Sequence, residues 1–326
     1  MKAALYRETG PSTVLSVEEI ATPEPQPGEV RVKILFSGVN PTDWKSRSAL
    51  TGSGPKDFQV PHHDGSGVVD AVGEGVTDRA VGQRVWLYLA GSNNRYGTAA
   101  EYAVVPAERT VPLPDSASDE LGACLGVPAL TAAICLGGHP EALAGAHVLV
   151  AGGAGAVGHY AIEMAKHAGA WVVTTVSSEA KAQLARAAGA DLVVNYRDPG
   201  AIELVRSFAP RMDRIIELAL GANLELDLAV SGPGTVIVVY ASEPNDPVLP
   251  TRRFMTANAT LHYVLVYGVP AREIAQGIAW TNGALAVGAL SVLPLHLFSL
   301  DDVAAAQDAV EHGAVGKVLV VPHLHK

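Results

Sequence analysis

Three glycines in the middle of the chain have a spacing that lets a main chain bind phosphate groups. Gly153, Gly155 and Gly158 match the pattern G-x-G-x-x-G, between an apolar strand-like stretch and a helical one. In that pattern the first glycine permits a tight turn, the second lets the main chain approach a pyrophosphate, and the third allows close helix–strand packing. Gly152 offers a second register. N–H groups at the start of the helix then bind the phosphates, so the segment predicts a dinucleotide site.

The residues after the next strand indicate which dinucleotide binds. NAD-binding folds usually carry Asp or Glu about 20 residues after the glycines, where the carboxylate binds the ribose 2′-hydroxyl. Ser177 stands at that position, Ser178 follows it, and Lys181 lies one turn into the next helix. Without a carboxylate a 2′-phosphate is not repelled, and a lysine supplies a matching charge. The pattern favours NADPH over NADH. Two alternatives remain: Glu179 faces the site, or Lys181 is a solvated helix lysine.

Two further residues follow the third strand of this region. Tyr196 and Arg197 come directly after the run DLVVN. We expect them beside the adenine and the 2′-phosphate, because the carboxyl ends of neighbouring parallel strands meet at one edge of a sheet.

The composition limits the classes of protein to which the chain can belong. It has 326 residues, 48% hydrophobic and 17% charged, enough for two domains with apolar cores. The net charge of −10 argues against nucleic-acid binding, and no polybasic segment indicates a membrane surface. The N-terminal sequence lacks an apolar secretory signal, so we expect a cytoplasmic protein. Residues 281–300 carry no charge, but Gly288 and Pro294 interrupt them, which favours a buried strand in the second half over a membrane span.

Two regions of different periodicity follow one another along the chain. The first third contains alternating, β-branched runs such as EVRVKILFSGV and GQRVWLYL, which predict a compact β domain. After Ser118, a predicted N-cap, strand and helix patterns alternate, beginning with AHVLVAG and AVGHYAIEMAKHAG. Such alternation predicts βαβ units and a parallel sheet. The last strand, in GAVGKVLVVP, has no helix after it and is expected to return to the β domain.

Six segments in a fixed order carry a family resemblance: SGVNPTDWKSRSA, DGSGVVDAVGEGV, GTAAEYAVVPAERTVPLPD, GVPALTAA, VLVAGGAGAVG and GAVGKVLVV. Together they resemble the medium-chain dehydrogenase/reductase superfamily, most closely its zinc-free quinone oxidoreductase branch of the zeta-crystallin type. The resemblance implies an α/β fold: a Rossmann domain with a doubly wound parallel sheet, plus a GroES-like β-barrel domain formed from both chain ends. The expected boundaries are 1–121 for the first part of the GroES-like domain, 122–267 for the Rossmann domain and 268–326 for the return.

The same resemblance implies that the chain holds no metal. Zinc alcohol dehydrogenases of the superfamily have a Cys ligand where this chain has Asn40, and their other zinc cysteines are absent too. His63, followed by Asp64, does stand at the position of a zinc-ligand His. One histidine is too few for a catalytic zinc site, which takes three protein ligands. The two cysteines, Cys124 and Cys135, are expected in a core.

The family motifs also place the expected site residues. The phosphate-binding turn falls on Ala154, Gly155, Ala156 and Val157. The adenosine side falls on Ser177, Lys181 and Tyr196. The nicotinamide side is expected to be lined by Asn40, Thr131, Val239, Tyr240, Ala241, Leu265, Val266, Tyr267 and Lys317. The branch usually has Gly at the position of Tyr240 and often Tyr at the position of Lys45, so the substrate choice is expected to differ from that for a generic quinone.

The expected chemistry is hydride transfer without a metal. The protein then has to align a hydride donor with an acceptor and exclude water. Quinones and enones suit this reaction because the developing negative charge delocalises onto an oxygen. Asn40, Thr131 and Lys45 are the candidate donors to that oxygen or to the carboxamide, while Tyr240 narrows the cleft or stacks on the substrate.

We therefore expect an NADPH-dependent quinone oxidoreductase. Two alternatives are an NADPH-dependent enone or 2-alkenal reductase and an NADPH-binding protein without turnover. Family members commonly pair through a Rossmann edge strand, so a homodimer is expected. The run TLHYVLVYGV suits such an edge, although a buried central strand would have the same pattern.

Overall fold

The computed structural model describes residues 1–51 and 54–324. They form two units: Met1–Val127 with Val292–Lys326, and Pro128–Ser291. The expected boundaries at 121/122 and 267/268 differ from these. The larger difference arises because a helix at 271–286 packs in the second unit, where a Cβ on Gly277 would lie 3.4 Å from Leu130 and 3.7 Å from Ala133.

The strands, in chain order, are β1 (Lys2–Leu5), β2 (Ser16–Glu19), β3 (Glu29–Val39), β4 (Asp64–Val72), β5 (Arg84–Leu87), β6 (Tyr102–Pro106), β7 (Thr110–Pro112), β8 (His147–Val150), β9 (Trp171–Val176), β10 (Leu192–Asn195), β11 (Arg214–Glu217), β12 (Val236–Val239), β13 (Thr260–Tyr263), β14 (Leu295–Ser299) and β15 (Lys317–Val321). The helices are α1 (Pro41–Arg47), α2 (Asp119–Gly122), α3 (Gly126–Cys135), α4 (Ala156–His167), α5 (Glu179–Ala187), α6 (Ala201–Phe208), α7 (Leu220–Ala229), α8 (Thr251–Ala257), α9 (Ala271–Ala286) and α10 (Val303–Glu311).

The second unit is built on a six-stranded parallel sheet in the order β10-β9-β8-β11-β12-β13. This order, in which the chain reverses direction across the sheet between β8 and β11, is that of a doubly wound Rossmann fold and confirms the prediction. Val148, Leu149 and Val150 of β8 are all buried, as expected for a strand covered by helices on both faces.

The first unit contains a seven-stranded sheet in the order β14-β15-β3-β4-β5-β7, with β6 also paired to β3. Two register shifts along the β3–β4 pairing, at Arg31/Val32 and Ile34/Phe36, bend the long strand β3. The last strand, β15, pairs antiparallel with β3, which confirms that the C-terminal end returns to this unit. The predicted N-cap also holds, since Ser118 Oγ accepts the N–H of Leu121.

The uncharged stretch 281–300 does not form the expected buried strand. Its first part completes α9, and its last part is β14, which lies at the edge of the seven-stranded sheet and leaves Leu297 53% exposed. Within the described residues, no helix combines the length and the apolar character needed to cross a membrane.

Candidate functional site

The turn between β8 and α4 presents main-chain N–H groups at the start of a twelve-residue helix. The N-cap is Gly155, which has no side chain to satisfy them. First-turn N–H groups lack carbonyl partners inside the helix and carry the positive end of its dipole. A Cβ on Gly155 would contact only the carbonyl oxygen of Gly152, at 3.4 Å, so the space before it is otherwise open. An anionic pyrophosphate fits this turn.

Packing requires the other two glycines of the pattern. A Cβ on Gly153 would lie 2.1 Å from Thr174 Oγ1 in β9, and one on Gly158 would lie 2.4 Å from the Gly152 carbonyl oxygen. The left-handed conformation belongs to Gly152, with φ of 68°. The tight turn therefore lies one residue earlier than the pattern indicated, and Gly153 is needed for close packing on β9.

The ends of β9 and β10 bring two predicted adenosine-side residues next to each other. These strands are parallel neighbours with Val176 opposite Asn195, so Ser177 and Tyr196 follow at the same edge. Tyr196 is 47% exposed, and the guanidinium of Arg197 lies over its ring, 5.7 Å from the centroid. An exposed aromatic ring with an adjacent cation can stack on a base and pair with a phosphate.

Ser178 and Lys181 both belong to the start of α5. Ser178 caps this helix, because its Oγ accepts the main-chain N–H of Lys181 at 3.4 Å. No carboxylate in the described part of the chain lies within ion-pair distance of the Lys181 ammonium. Glu179, the residue that weakens the NADPH interpretation if it faces the site, is exposed and pairs with Arg186 at 2.6 Å. The charge of Lys181 is therefore available to an anion.

The expected nicotinamide-side residues of the second unit follow β12 and β13. Val239 ends β12 opposite Tyr263 of β13, so Tyr240, Ala241 and the segment 265–267 leave the same edge of the sheet. Val239 is buried and Tyr240 half-buried. Burial raises the pKa of the Tyr240 phenol, which keeps it a neutral hydrogen-bonding group. Thr131, in contrast, is buried within α3 rather than at a strand end.

A buried carboxyl pair after β11 is absent from the sequence prediction. Glu217 ends β11 and accepts hydrogen bonds from the main-chain N–H of Ala219 and from Asn223 Nδ2 at 2.9 Å. Asp227 of α7 is also fully buried. Burial and the neighbouring charge of Glu217 raise the pKa of Asp227 well above its usual range. The available signal was an acid directly after the two apolar residues Ile215 and Ile216.

In the first unit, the register of β3 brings three buried polar side chains together. The C-terminal end of β3 pairs with β4 and β15, so Asn40 after β3 meets Asp64 and Lys317, the first residues of those strands. Lys317 Nζ donates to Asn40 Oδ1 at 2.6 Å, and Asn40 Nδ2 donates to Asp64 Oδ2 at 2.7 Å. The ammonium lies 3.8 Å from that carboxylate oxygen. Asp64 Oδ1 accepts the N–H of Val127 at 2.7 Å. We call Asn40, Asp64 and Lys317 the Asp64 cluster.

The charges of the Asp64 cluster balance near neutral pH. Burial raises the pKa of Asp64 to about 6, although the charge of Lys317 and hydrogen bonds from Asn40 and Val127 lower it. Burial raises the pKa of Asp43 well above its usual range, despite the N–H of Asn40 that its Oδ2 accepts at 2.6 Å. Above pH 6 an ionised Asp64 therefore faces the ammonium group of Lys317. Pairing of this kind is what makes a buried charge tolerable.

The structure does not bring Lys45 into the Asp64 cluster. This residue lies on α1, half-buried, with its ammonium 5.9 Å from the ring centroid of Trp44. The sequence predicts roles for Asn40 and Lys317 but none for Asp64, the residue that joins them. The signal for Asp64 was an acid at the start of a strand that is otherwise small and apolar, DGSGVV.

Within residues 1–51 and 54–324, no three His, Cys, Asp or Glu side chains group in a way that could hold a metal ion. Both cysteines are buried free thiols. Burial raises the pKa of Cys124 and of Cys135 to about 12, so both thiols are neutral. Burial, then the charge of Arg109, lower the pKa of His63 to about 4.

Two family descriptions match the chain. Residues 26–115 match the alcohol dehydrogenase GroES-like domain, and residues 156–282 match the zinc-binding dehydrogenase family. A quinone oxidoreductase of Lama guanicoe is 30% identical over 326 residues, which cover 98% of this chain and 97% of that protein. A 2-haloacrylate reductase of Burkholderia sp is 29% identical over 341 residues, which cover 99% of each chain.

Solved structures are similar over the whole chain. A mycobacterial protein complexed with NADPH is 29% identical with a TM-score of 0.85, covering 99% of this chain and 100% of that one. An NAD-dependent alcohol dehydrogenase is 26% identical with a TM-score of 0.88 and the same coverage.

Proposed function

The chain belongs to the quinone oxidoreductase branch of the medium-chain dehydrogenase/reductase superfamily, and from this premise we propose that it is an NADPH-dependent, zinc-independent quinone oxidoreductase. Family membership supports an oxidoreductase, while the coenzyme choice rests on this chain's own residues. The observation that carries it is the end of β9, where Ser177 replaces the usual acid and Lys181 has no carboxylate partner among the described residues. Such a site matches a 2′-phosphate.

The second unit holds the coenzyme in this proposal. The open turn at Gly155 binds the pyrophosphate, and Ser177, Lys181 and Tyr196 bind the adenosine phosphate side. The similar mycobacterial protein that was solved with NADPH supports this choice. Residues 239–241 and 265–267 are assigned to the nicotinamide side, because they leave the same edge of the sheet.

NADPH supplies, when bound, the hydride that the reduction needs. The chain's own contribution is to bind, orient and stabilise charge. Both ends of the Asn40 amide are held, by Lys317 and Asp64, so its remaining N–H has a fixed direction. In this proposal the remaining N–H of Asn40 and the remaining donors of Lys317 donate hydrogen bonds to the acceptor oxygen, where negative charge develops, or to the carboxamide of the coenzyme. Lys45, Thr131 and Tyr240 remain candidate substrate-side residues of the same proposal.

A second candidate function is reduction of a conjugated double bond in an enone or 2-alkenal. The 2-haloacrylate reductase among the relatives favours it, because an acrylate is also a conjugated acceptor.

We also propose a homodimer. Strand β13 is an edge strand that pairs with β12 alone among the described strands, and Tyr263 on it is 61% exposed. A free edge can pair with the same strand of a second copy, which light scattering on the purified protein would detect.

The deciding experiment is the initial rate of NADPH oxidation by purified protein with benzoquinone, phenanthrenequinone and a panel of enones. NADH serves as the matched coenzyme, and each rate is repeated with a metal chelator. We expect quinone turnover that prefers NADPH by about tenfold or more and is insensitive to chelator.

Each other outcome leads to a different conclusion. Turnover of enones with inert quinones would replace the proposal with the second candidate. Tight NADPH binding without turnover of any acceptor would indicate a non-catalytic NADPH-binding protein. Preference for NADH, or loss of rate with chelator, would contradict the coenzyme or the zinc-independent part of the proposal.

A further inference from the structure

His62 has a backbone conformation that favours glycine. Its φ is 76°, in the left-handed region where a side chain crowds its own main chain. The residue is only 1% exposed, and its carbonyl accepts the N–H of Thr98 at 3.2 Å. A non-glycine residue persists in such a position when the surrounding structure determines it, and these residues concentrate at functional sites. The contacts of the buried ring therefore hold His62 in this conformation.

The hydrogen bonds of the His62 ring have one consistent direction. A guanidinium has no acceptor atom, so Arg47 Nε must donate to Gln307 Oε1, at 2.7 Å, and this fixes the orientation of the amide. Gln307 Nε2 then donates to His62 Nε2 at 3.3 Å, which leaves the proton of the neutral ring on Nδ1. Burial lowers the pKa of His62 to about 3, so the ring stays neutral across the physiological range.

The same direction continues from the ring to the main chain of Asp64. His62 Nδ1 donates to Ser37 Oγ at 2.9 Å, and the Ser37 hydroxyl is then free to donate to Thr98 Oγ1 at 2.8 Å. Thr98 Oγ1 donates to the Asp64 carbonyl oxygen at 2.5 Å. The linking side chains are buried, so no water competes for these bonds. One series of hydrogen bonds therefore joins Arg47 to the residue at the centre of the Asp64 cluster.

We propose that His62, in its neutral Nδ1–H form, is a positioning residue for the Asp64 cluster. By holding the main chain of Asp64, it sets the distances of the Asp64 carboxylate to Asn40, Lys317 and the N–H of Val127. The consequence for catalysis rests on the proposed function; the effect on the position of Asp64 does not. A residue that positions a hydrogen-bond donor can affect catalysis without touching the substrate, because a small displacement of the donor lowers the reaction rate strongly.

Three variants separate positioning from the filling of space. His62→Gly removes the ring and relieves the backbone strain, so the fold is expected to survive. His62→Asn tolerates the left-handed conformation and keeps a side-chain amide that can replace part of the hydrogen bonding. Gln307→Glu, nearly isosteric, places an acceptor against Nε2. The proton then moves to Nε2, Nδ1 becomes an acceptor, and Ser37 no longer donates to Thr98.

The first readout is independent of activity. Val127 N–H donates directly to Asp64 Oδ1, so its hydrogen-exchange rate reports the position of that carboxylate. We expect this rate to rise about tenfold in His62→Gly and Gln307→Glu, and less in His62→Asn, while the N–H of Val69, bonded to Gln83, keeps its rate. Ring ¹⁵N shifts of His62 should report Nδ1–H in the wild type and Nε2–H in Gln307→Glu. An unchanged Val127 rate in His62→Gly, or an equal rise at Val69, would overturn the proposal.

The second readout is kinetic. With a quinone that the wild type reduces, His62→Gly and Gln307→Glu should lower kcat by about tenfold while KM changes little, and His62→Asn should recover part of the rate. An unchanged kcat alongside faster Val127 exchange would confine the role of His62 to structure and overturn its catalytic part. If the wild type turns over no acceptor, the proposed function fails, and the Val127 measurement still decides whether His62 positions Asp64.

Discussion

The glycine turn of the second unit and the Asp64 cluster of the first unit differ in the groups that form them: main-chain N–H groups in the turn, and polar side chains in the cluster. At the turn before α4 the N-cap is Gly155, so no side chain caps the first main-chain N–H groups of the helix, and little fills the space beside them. In the Asp64 cluster, hydrogen bonds between side chains fix their positions, and Asn40 is hydrogen-bonded at both ends of its amide. The first kind of site is sensitive to added atoms, and the second to any change in charge or hydrogen bonding.

The largest expected effects come from adding one methyl group to the turn. In Gly158→Ala the new Cβ would lie 2.4 Å from the carbonyl oxygen of Gly152, a main-chain atom that cannot move aside as a flexible side chain could. We expect the free energy of unfolding to fall by about 3 kcal/mol or more. Gly155→Ala is the matched variant, because its Cβ faces open space. It should retain the wild-type Tm while weakening NADPH binding by about 100-fold, since the methyl group occupies the pyrophosphate position.

Thermal unfolding and fluorescence titration of both variants check this pair of predictions. Wild-type NADPH affinity in Gly155→Ala would show that the phosphates bind elsewhere. Normal stability in Gly158→Ala would show that the turn can move away from α4.

A change in charge tests the Asp64 cluster. The folded pKa of Asp64 is about 6, above its usual value of 3.8, so the folded protein binds this proton more tightly than the unfolded chain. The stability contributed by the protonated carboxyl is therefore complete below pH 4 and lost as the pH rises to 6, by at most about 3 kcal/mol. Asp64→Asn removes this dependence. Denaturant unfolding at several pH values should show the difference between wild type and variant changing only in that interval.

Asp115→Asn is the control for the Asp64 experiment, because it removes one carboxylate from an exposed position instead of a buried one. The same slope in both variants would mean that the measured pH dependence comes from groups other than Asp64.

The smallest expected effect concerns the choice of coenzyme at the edge of the second unit. Lys181→Ala removes a charge that no carboxylate of the described residues neutralises, so NADPH binding should weaken about tenfold, or 1.4 kcal/mol, and NADH binding should stay as it was. Arg186→Ala on the same helix, whose charge is already paired with Glu179, should change neither affinity. Competitive titration of both coenzymes measures this, and equal losses for the two would argue against a 2′-phosphate at Lys181.

The sequence predicted the second unit better than the first. The alternation of strand and helix patterns and the glycine turn before α4 depend on residues close together in the chain, and the structure contains them. In the first unit the same holds for the serine N-cap of α2. The prediction from the sequence was wrong where the burial of an element depends on its neighbours in the fold. The uncharged run 281–300 was expected to end in a buried strand, but β14 lies at an edge, because burial depends on the neighbours a strand receives.

Local order along the chain was enough to identify the parallel sheet, the open turn and the missing acid after β9, because each involves residues within one βαβ unit. It was not enough to find the Asp64 cluster or the direction of hydrogen bonding through His62. Asn40 meets Asp64 across 24 positions and Lys317 across 277, and only the pairing of β3 with β4 and β15 brings them into contact. Sheet register is set by packing across the whole unit, so contacts that depend on it cannot be read from spacing along the chain.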